Sequence, residues 1–226
     1  MTKKGKWLLR LLFWLYMLYA YVVIYRQNSF YSFLVLNTFL AYLPLEFAMN
    51  MNERQPKAVF LLLFIFWLLF YPNAPYVLTD LLHFARMHPY DLTTGLMKFD
   101  LHIWLNFTNL CLSALSSLIL GTWSLEYITQ LIQIRLRKPG MAFRFVLICG
   151  LTLFSSIGIY VGRFLRLHTA YLFLNPGMVI RELIFMWNLK MLTFVFMMFI
   201  LQMLVWGCMT VSRIALNRID FKYNLQ

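Results

Sequence analysis

Six apolar stretches constrain this chain more than any other feature of its sequence. A membrane-spanning helix needs about 20 mainly apolar residues, and such stretches occur near residues 7–25, 30–49, 58–71, 101–123, 143–161 and 184–211. Hydrophobic residues make up 62% of the chain and charged residues only 12%, which is unlike a soluble domain. We therefore predict an all-α, polytopic transmembrane helical bundle of about six spans, forming a single integral-membrane domain over residues 1–226. A seventh span results if residues 77–87 insert.

The basic residues predict the orientation of these spans, because Lys and Arg accumulate on cytoplasmic segments. With the N-terminus inside, thirteen of the twenty basic residues are cytoplasmic, six are outside, and Lys190 falls within the last span. The inner set is Lys3, Lys4, Lys6, Arg10, Arg54, Lys57, Arg135, Arg137, Lys138, Arg144, Arg213, Arg218 and Lys222; the outer set is Arg26, Arg86, Lys98, Arg163, Arg166 and Arg181. Both termini are therefore predicted to be cytoplasmic, in a multi-pass protein of a bacterial plasma membrane.

The net charge of +12 does not indicate a nucleic-acid-binding protein. The basic residues form short clusters beside the predicted spans, where such residues contact anionic lipid. No basic domain lies outside the membrane, as nucleic-acid binding would require. The expected partners are membrane lipids, with no nucleic acid.

The segment Pro72-Asn73-Ala74-Pro75-Tyr76, followed by Thr79, Asp80 and His83, is the most informative polar part of the chain. Two prolines disfavour a continuous helix, so we expect the third span to end near residue 71 and an outer loop to cover residues 72–100. Ionisable groups at a membrane edge usually face a partner, a cavity or water. Asp80 and His83 are thus the candidate catalytic residues.

The predicted outer side also carries every histidine of the chain. A residue pair three apart on a helix shares one face, so Asp80 and His83 are weak candidate metal ligands, together with Asp100 and His102. Zinc accepts both side-chain types, but no HExxH or paired-cysteine spacing is present, so no metal is predicted and the cofactor is unknown. In the alternative interpretation Asp80 is a helix cap. The histidines are His83, His88, His102 and His168.

Arg163 and Arg166 are also three apart, which predicts two like charges on one helix face. An anion between them would relieve the repulsion, and arginine suits phosphate or carboxylate; alternatively both side chains reach lipid phosphates or internal acids. The predicted ligand-binding residues are Asn73, Asp80, His83, Asp100, Arg163, Arg166 and His168.

Small residues recur every four positions at Ser113, Ser117 and Gly121, and again at Gly158 and Gly162. This spacing lets membrane helices approach closely, and it predicts packing within the chain or, alternatively, a homodimer or partner-protein interface. Polar residues within the spans are expected to form interhelical hydrogen bonds, and Lys57 is expected to neutralise Glu46. The polar residues within the spans are Asn37, Asn106, Asn109 and Lys190.

The two polar segments together resemble a known family. The run Trp67-Leu68-Leu69-Phe70-Tyr71-Pro72-Asn73-Ala74-Pro75-Tyr76-x-x-Thr79-Asp80 and the later Gly162-Arg163-Phe164-Leu165-Arg166 are similar to bacterial integral-membrane proteins grouped as domain of unknown function 1361. Leu120-Gly121 with Ser124-Leu125, and Asn37 with Pro44-Leu45, also match its spacing. The resemblance implies a compact multi-pass protein and transfers no activity. One departure is His168-Thr169-Ala170-Tyr171, where the family pattern has an Asn-Ser-Trp-Asp-like stretch.

Three functions fit these features. The first is a binding or transport component whose outer polar site receives an anionic lipid headgroup or small solute. The second is a membrane enzyme acting on a lipid or lipid-linked substrate at the outer leaflet, with Asp80 or His83 as general base. The third is a structural or regulatory subunit whose polar motifs hold its helices together.

Overall fold

The computed structural model describes residues 2–25, 32–167 and 174–223. In these ranges the chain is helical, and its one strand-like feature is an isolated bridge between Tyr90 and Met97. In chain order the helices are α1 (Lys3–Ala20, continued by a π-helical turn at Tyr21–Tyr25), α2 (Phe33–Asn50), α3 (Lys57–Phe70), α4 (Asn73–Tyr76), a 3₁₀ helix (Val77–Met87), α5 (Leu101–Leu136), α6 (Met141–Arg163), α7 (Pro176–Phe185) and α8 (Leu189–Tyr223).

Six helical segments are long and apolar enough to cross a membrane, which confirms the predicted fold class. They are Lys3–Val23, Phe33–Asn50, Lys57–Met87, Leu101–Leu136, Met141–Arg163 and Leu189–Arg218. The cytoplasmic location of both termini stays a prediction. The fourth segment extends beyond residue 123 and ends before Pro139-Gly140, with Arg137 in the left-handed conformation (φ 53°) at its C-terminus.

The third segment differs from the sequence prediction, because the chain remains helical beyond Pro72 and Pro75. Pro72 is the N-cap residue of α4 with φ −57°. Pro75 lies in the first turn of α4, where a proline removes no hydrogen bond that the turn needs. The amide of Tyr76 donates to the Pro72 carbonyl at 3.0 Å, and the 3₁₀ helix follows directly. Residues 73–87 of the predicted outer loop 72–100 are therefore helical, and their location outside the membrane stays a prediction.

The last segment also differs at its start. The prediction placed a span from residue 184, whereas α7 ends at Phe185 and α8 begins at Leu189. The Asn188 side chain accepts a hydrogen bond from the Met191 amide at 3.0 Å, which is a helix N-cap. Hydropathy detects apolar residues on both sides of this break but does not detect the break itself.

The chain divides into two compact units, Met1–Lys138 and Pro139–Gln226. In the first unit α5 packs against α2, α4 and the 3₁₀ helix, and one buried cluster of that packing is Ala41, Val77 and Ala114. In the second unit α6 packs against α8, where the Gln202 amide nitrogen donates to the Ser156 hydroxyl at 2.9 Å. The prediction that residues 1–226 form a single domain stays a prediction.

The small residues of α5 are used for packing inside the first unit. Gly121 lies so close to α4 that a Cβ atom on it would be 2.6 Å from the Cβ atom of Ala74. Ser113 is fully buried and shares a short hydrogen bond with Thr38 of α2. This confirms the prediction of close packing within the chain for this face; an interface through Gly158 and Gly162 stays a prediction.

One arginine of α5 holds the turn that joins α2 to α3. The Arg135 guanidinium donates to the carbonyl oxygens of Asn52, Glu53 and Gln55 at 3.2, 3.1 and 2.6 Å, and it lies over the ring of Phe60. A planar group with five fixed donors is suited to such convergent carbonyls. The turn is therefore fixed by a residue about eighty positions further along the chain.

Candidate functional site

Asp80 is the most deeply buried acid among the predicted site residues, with 1% of its surface exposed. The 3₁₀ helix carries it against α2, where the Asn37 amide nitrogen donates to its Oδ2 atom at 2.7 Å. A buried carboxylate requires such donors, because losing water without replacement costs several kcal/mol. The interhelical hydrogen bond predicted for Asn37 is thus confirmed.

His83 lies beside the same carboxylate. Its Nδ1 atom is 3.1 Å from the Asp80 carbonyl oxygen and 3.7 Å from Asp80 Oδ1, and its ring centroid is 4.4 Å from that of Phe33. In a 3₁₀ helix residues i and i+3 stand directly above each other, which explains the contact and confirms that the two share a face. We call Asn37, Asp80 and His83 the Asp80 cluster.

Two polar residues near the cluster bind the backbone of the broken helix. The Thr79 hydroxyl donates to the Tyr76 carbonyl at 2.7 Å, and the Asn73 amide nitrogen donates to the Phe70 carbonyl at 3.0 Å. Carbonyls at helix ends lack intrahelical donors, so these side chains stabilise the breaks at which Asp80 is presented. A ligand-binding role for Asn73 stays a prediction.

Asp100 and His102 lie at the start of α5 and are exposed. The Asp100 side chain accepts from the His102 amide at 2.8 Å and thereby caps the helix. Within the ranges that the structure describes, no group of three or more His, Cys, Asp and Glu residues could hold a metal ion. Of the four weak metal candidates, Asp80 and His83 approach each other through their side chains, with 3.7 Å between Oδ1 and Nδ1.

Arg163 and Arg166 belong to the second unit and do not share a helix face. α6 ends at Arg163, and Arg166 lies beyond that end, exposed and in the left-handed conformation with φ 53°. Non-glycine residues rarely adopt this conformation, so the spacing rule for helices does not apply there. His168 lies outside the described residues, and Asp80 lies in the other unit.

Sequence reasoning missed a charged network between α1 and α2. Arg10 donates to both carboxylate oxygens of Glu46, at 3.1 Å from Nε and 2.5 Å from Nη2, and the Tyr42 hydroxyl donates to Glu46 Oε2 at 2.6 Å. The expected partner Lys57 is therefore replaced by Arg10. The signal was present in the sequence, since both residues are ionisable groups inside predicted spans.

Among polar residues within spans, the outcomes differ. Asn109 accepts a hydrogen bond from the Tyr19 hydroxyl of α1 at 3.1 Å, as predicted for an interhelical contact. Asn106 instead donates to the His102 carbonyl of its own helix at 2.9 Å. Lys190 lies in the first turn of α8 and not deep within a span, because α8 begins at Leu189, later than predicted. Its side chain is exposed.

The segment between the third and fourth spans contains an acid that stays ionised. Hydrogen bonds from the Thr93 hydroxyl, the Thr94 amide and the Thr93 amide hold the pKa of Asp91 well below its usual range. These bonds organise the turn that ends at the Tyr90–Met97 bridge. Protonation at ordinary pH will therefore not open this turn.

Comparison with known proteins gives a single finding. A family model described as "Protein of unknown function (DUF1361)" matches residues 36–205, which include Asn37, Asp80 and His83. No curated protein matches the chain, and no solved structure matches it.

Proposed function

Since the chain belongs to the DUF1361 family of proteins of unknown function, we propose its role from its own residues. It is a membrane-embedded binding or transport component with a polar site on the extracytoplasmic face. The site receives the anionic headgroup of a lipid or a small anionic solute. The observation that carries the proposal is the burial of Asp80 (1% exposed) at the break of a membrane helix.

The burial of Asp80 supports a functional role because ionisable groups within membrane segments are costly and usually mark ligand or ion pathways. The acid is presented by an 11-residue 3₁₀ helix, a geometry uncommon at that length and often found where a helix is interrupted for function. The side chain of His83 remains 20% exposed, so the imidazole offers the cluster a side reachable from outside.

Anion recognition in this proposal comes from Arg163 and Arg166, which lie in the second unit and are proposed independently of the Asp80 cluster. Guanidinium groups bind phosphate oxygens in pairs of hydrogen bonds, and the left-handed backbone at Arg166 (φ 53°) is of the kind that is held in place at binding sites.

The test is calorimetric titration of the purified chain, in a neutral detergent, with inorganic phosphate and with glycerol 3-phosphate. We expect Arg166→Ala to weaken binding about tenfold or more, because a hydrogen bond to a charged group contributes roughly 1.5–3 kcal/mol. Arg181→Ala is the matched control, since Arg181 is also an exposed arginine of the second unit. Equal affinity of both variants and wild type would refute the anion site.

A membrane-embedded enzyme is the second candidate, favoured by the 3.7 Å approach of His83 Nδ1 to Asp80 Oδ1. A carboxylate beside an imidazole suits general acid–base chemistry. Incubation with phosphatidylglycerol vesicles distinguishes the two roles. Headgroup release that is lost in Asp80→Asn, with phosphate affinity unchanged, would replace the binding role by catalysis.

A further inference from the structure

An open cavity of about 500 Å³ lies between α1, α2 and α5 of the first unit. Its walls are mainly apolar and include Leu9 and Phe13 of α1 and Ala41 of α2. Cavities of roughly 300–1,000 Å³ are typical of sites for small hydrophobic molecules. None of these walls belongs to the Asp80 cluster.

Hydroxyl groups are the polar part of the lining, and most of them already donate elsewhere. Tyr42 donates to Glu46 at 2.6 Å, and Ser116 donates to the Leu112 carbonyl at 2.6 Å. A hydroxyl whose O–H already donates to a protein group can offer a ligand only its acceptor lone pairs. The cavity therefore suits a hydrocarbon chain better than a polar solute.

Basic residues of α1 lie beyond one end of the cavity. Lys3, Lys6 and Arg10 precede Phe13 at spacings of three and four residues, so they share its face. The charge of Arg10 is compensated by Glu46 at 2.5 Å. Lys3 and Lys6 carry no carboxylate partner in the described ranges, and the Lys6 ammonium donates to the Met49 carbonyl.

These charges lie within two helical turns of the cavity lining. Lys6 precedes the lining residue Leu9 by about 4.5 Å along the helix axis and Lys3 precedes it by about 9 Å. Lysine side chains extend toward lipid headgroups from such positions. We propose that the cavity binds one acyl chain of an anionic phospholipid, whose phosphate lies at Lys3 and Lys6.

The test measures lipid retained by the full chain after delipidation in neutral detergent and exposure to phosphatidylglycerol or phosphatidylcholine of identical acyl chains. Native mass spectrometry then counts bound lipids. We expect one retained phosphatidylglycerol, and we expect Ser116→Phe to weaken its binding about tenfold, because an inserted ring displaces several buried methylenes. Ser116 is exposed and bonded only within its own helix, so this variant should fold.

A matched control fills a different groove. Gly150→Phe places a ring in the apolar groove between α6 and α8 of the second unit, where a Cβ atom on Gly150 would meet nothing within 4 Å. Retention should stay at the wild-type level in that variant. Equal loss in both variants, or in neither, would overturn the assignment to the α1 cavity.

The headgroup is tested separately with Lys3→Ala/Lys6→Ala. This variant should lose the preference for phosphatidylglycerol while keeping the weaker binding of phosphatidylcholine. Inorganic phosphate at high concentration should not displace the lipid, because it fills no cavity. Displacement by phosphate alone, or an unchanged preference in the double variant, would contradict an acyl-anchored anionic lipid.

Discussion

The carboxylate of Asp80 depends on a donor forty-three residues earlier in the chain, the amide of Asn37. That Asp80 and His83 share a face could be predicted from the sequence, because residues three positions apart lie on one face of a 3₁₀ helix. The pairing with Asn37 could not, since only the packing of α2 brings the two together. The same holds for Arg10 and Glu46, whose side chains meet across two helices.

Replacing Asn37 with Leu should therefore destabilise the protein by about 1–3 kcal/mol, because the buried Asp80 carboxylate loses the hydrogen bond from Asn37. The measurement is thermal unfolding in a neutral detergent. Asn106→Leu is the control, because the buried Asn106 amide nitrogen donates to a carbonyl of its own helix. A loss in Asn37→Leu no larger than in this control would show that the Asp80 cluster does not need the hydrogen bond.

At the scale of helices, hydropathy predicted the number of spans but not their internal breaks. Pro72 and Pro75 predict the end of a helix, yet a proline can occupy a first helical turn, and helix continues to Met87. The break at Asn188 went unpredicted because one capping side chain decides it. Close packing was predictable from Ser113, Ser117 and Gly121, whereas the partner helix was not.

Gly121→Ala should destabilise the protein by about 1–3 kcal/mol, as overpacking of a tight contact does, because its Cβ atom would be 2.6 Å from that of Ala74. Adding Ala74→Gly should restore part of the loss, measured as unfolding temperature in detergent. Gly150→Ala is the control, since a Cβ atom there meets nothing within 4 Å and alanine favours helix. Additive losses in the double variant would contradict direct contact between α4 and α5.

At the scale of the whole molecule, the distribution of basic residues predicts the orientation. Thirteen of them against six favour cytoplasmic termini, which would place the turn at Asp91 outside and the turn at Asn52 inside. Membrane class was predictable because the chain's composition leaves no other environment for its apolar helices. The arrangement of the Asp80 cluster within that frame required tertiary structure.

Cysteine labelling tests this orientation. In a background lacking Cys111, Cys149 and Cys208, which are free thiols, Thr94→Cys should react with a membrane-impermeant maleimide on intact cells. Asn52→Cys should react only after permeabilisation. The reverse pattern would invert the topology and move the Asp80 cluster toward the cytoplasm.

The hydrogen bonds from Arg135 to the turn between α2 and α3 have a consequence for the order in which the protein is synthesised and folded. Chains emerge from the ribosome N-terminus first, so α2 and α3 enter the membrane before Arg135 has been made. The carbonyls of Asn52, Glu53 and Gln55 that it later binds must then stay hydrated at the bilayer surface. This early hairpin becomes fixed only when the end of α5 leaves the ribosome, so biogenesis of the first unit should finish with its longest helix.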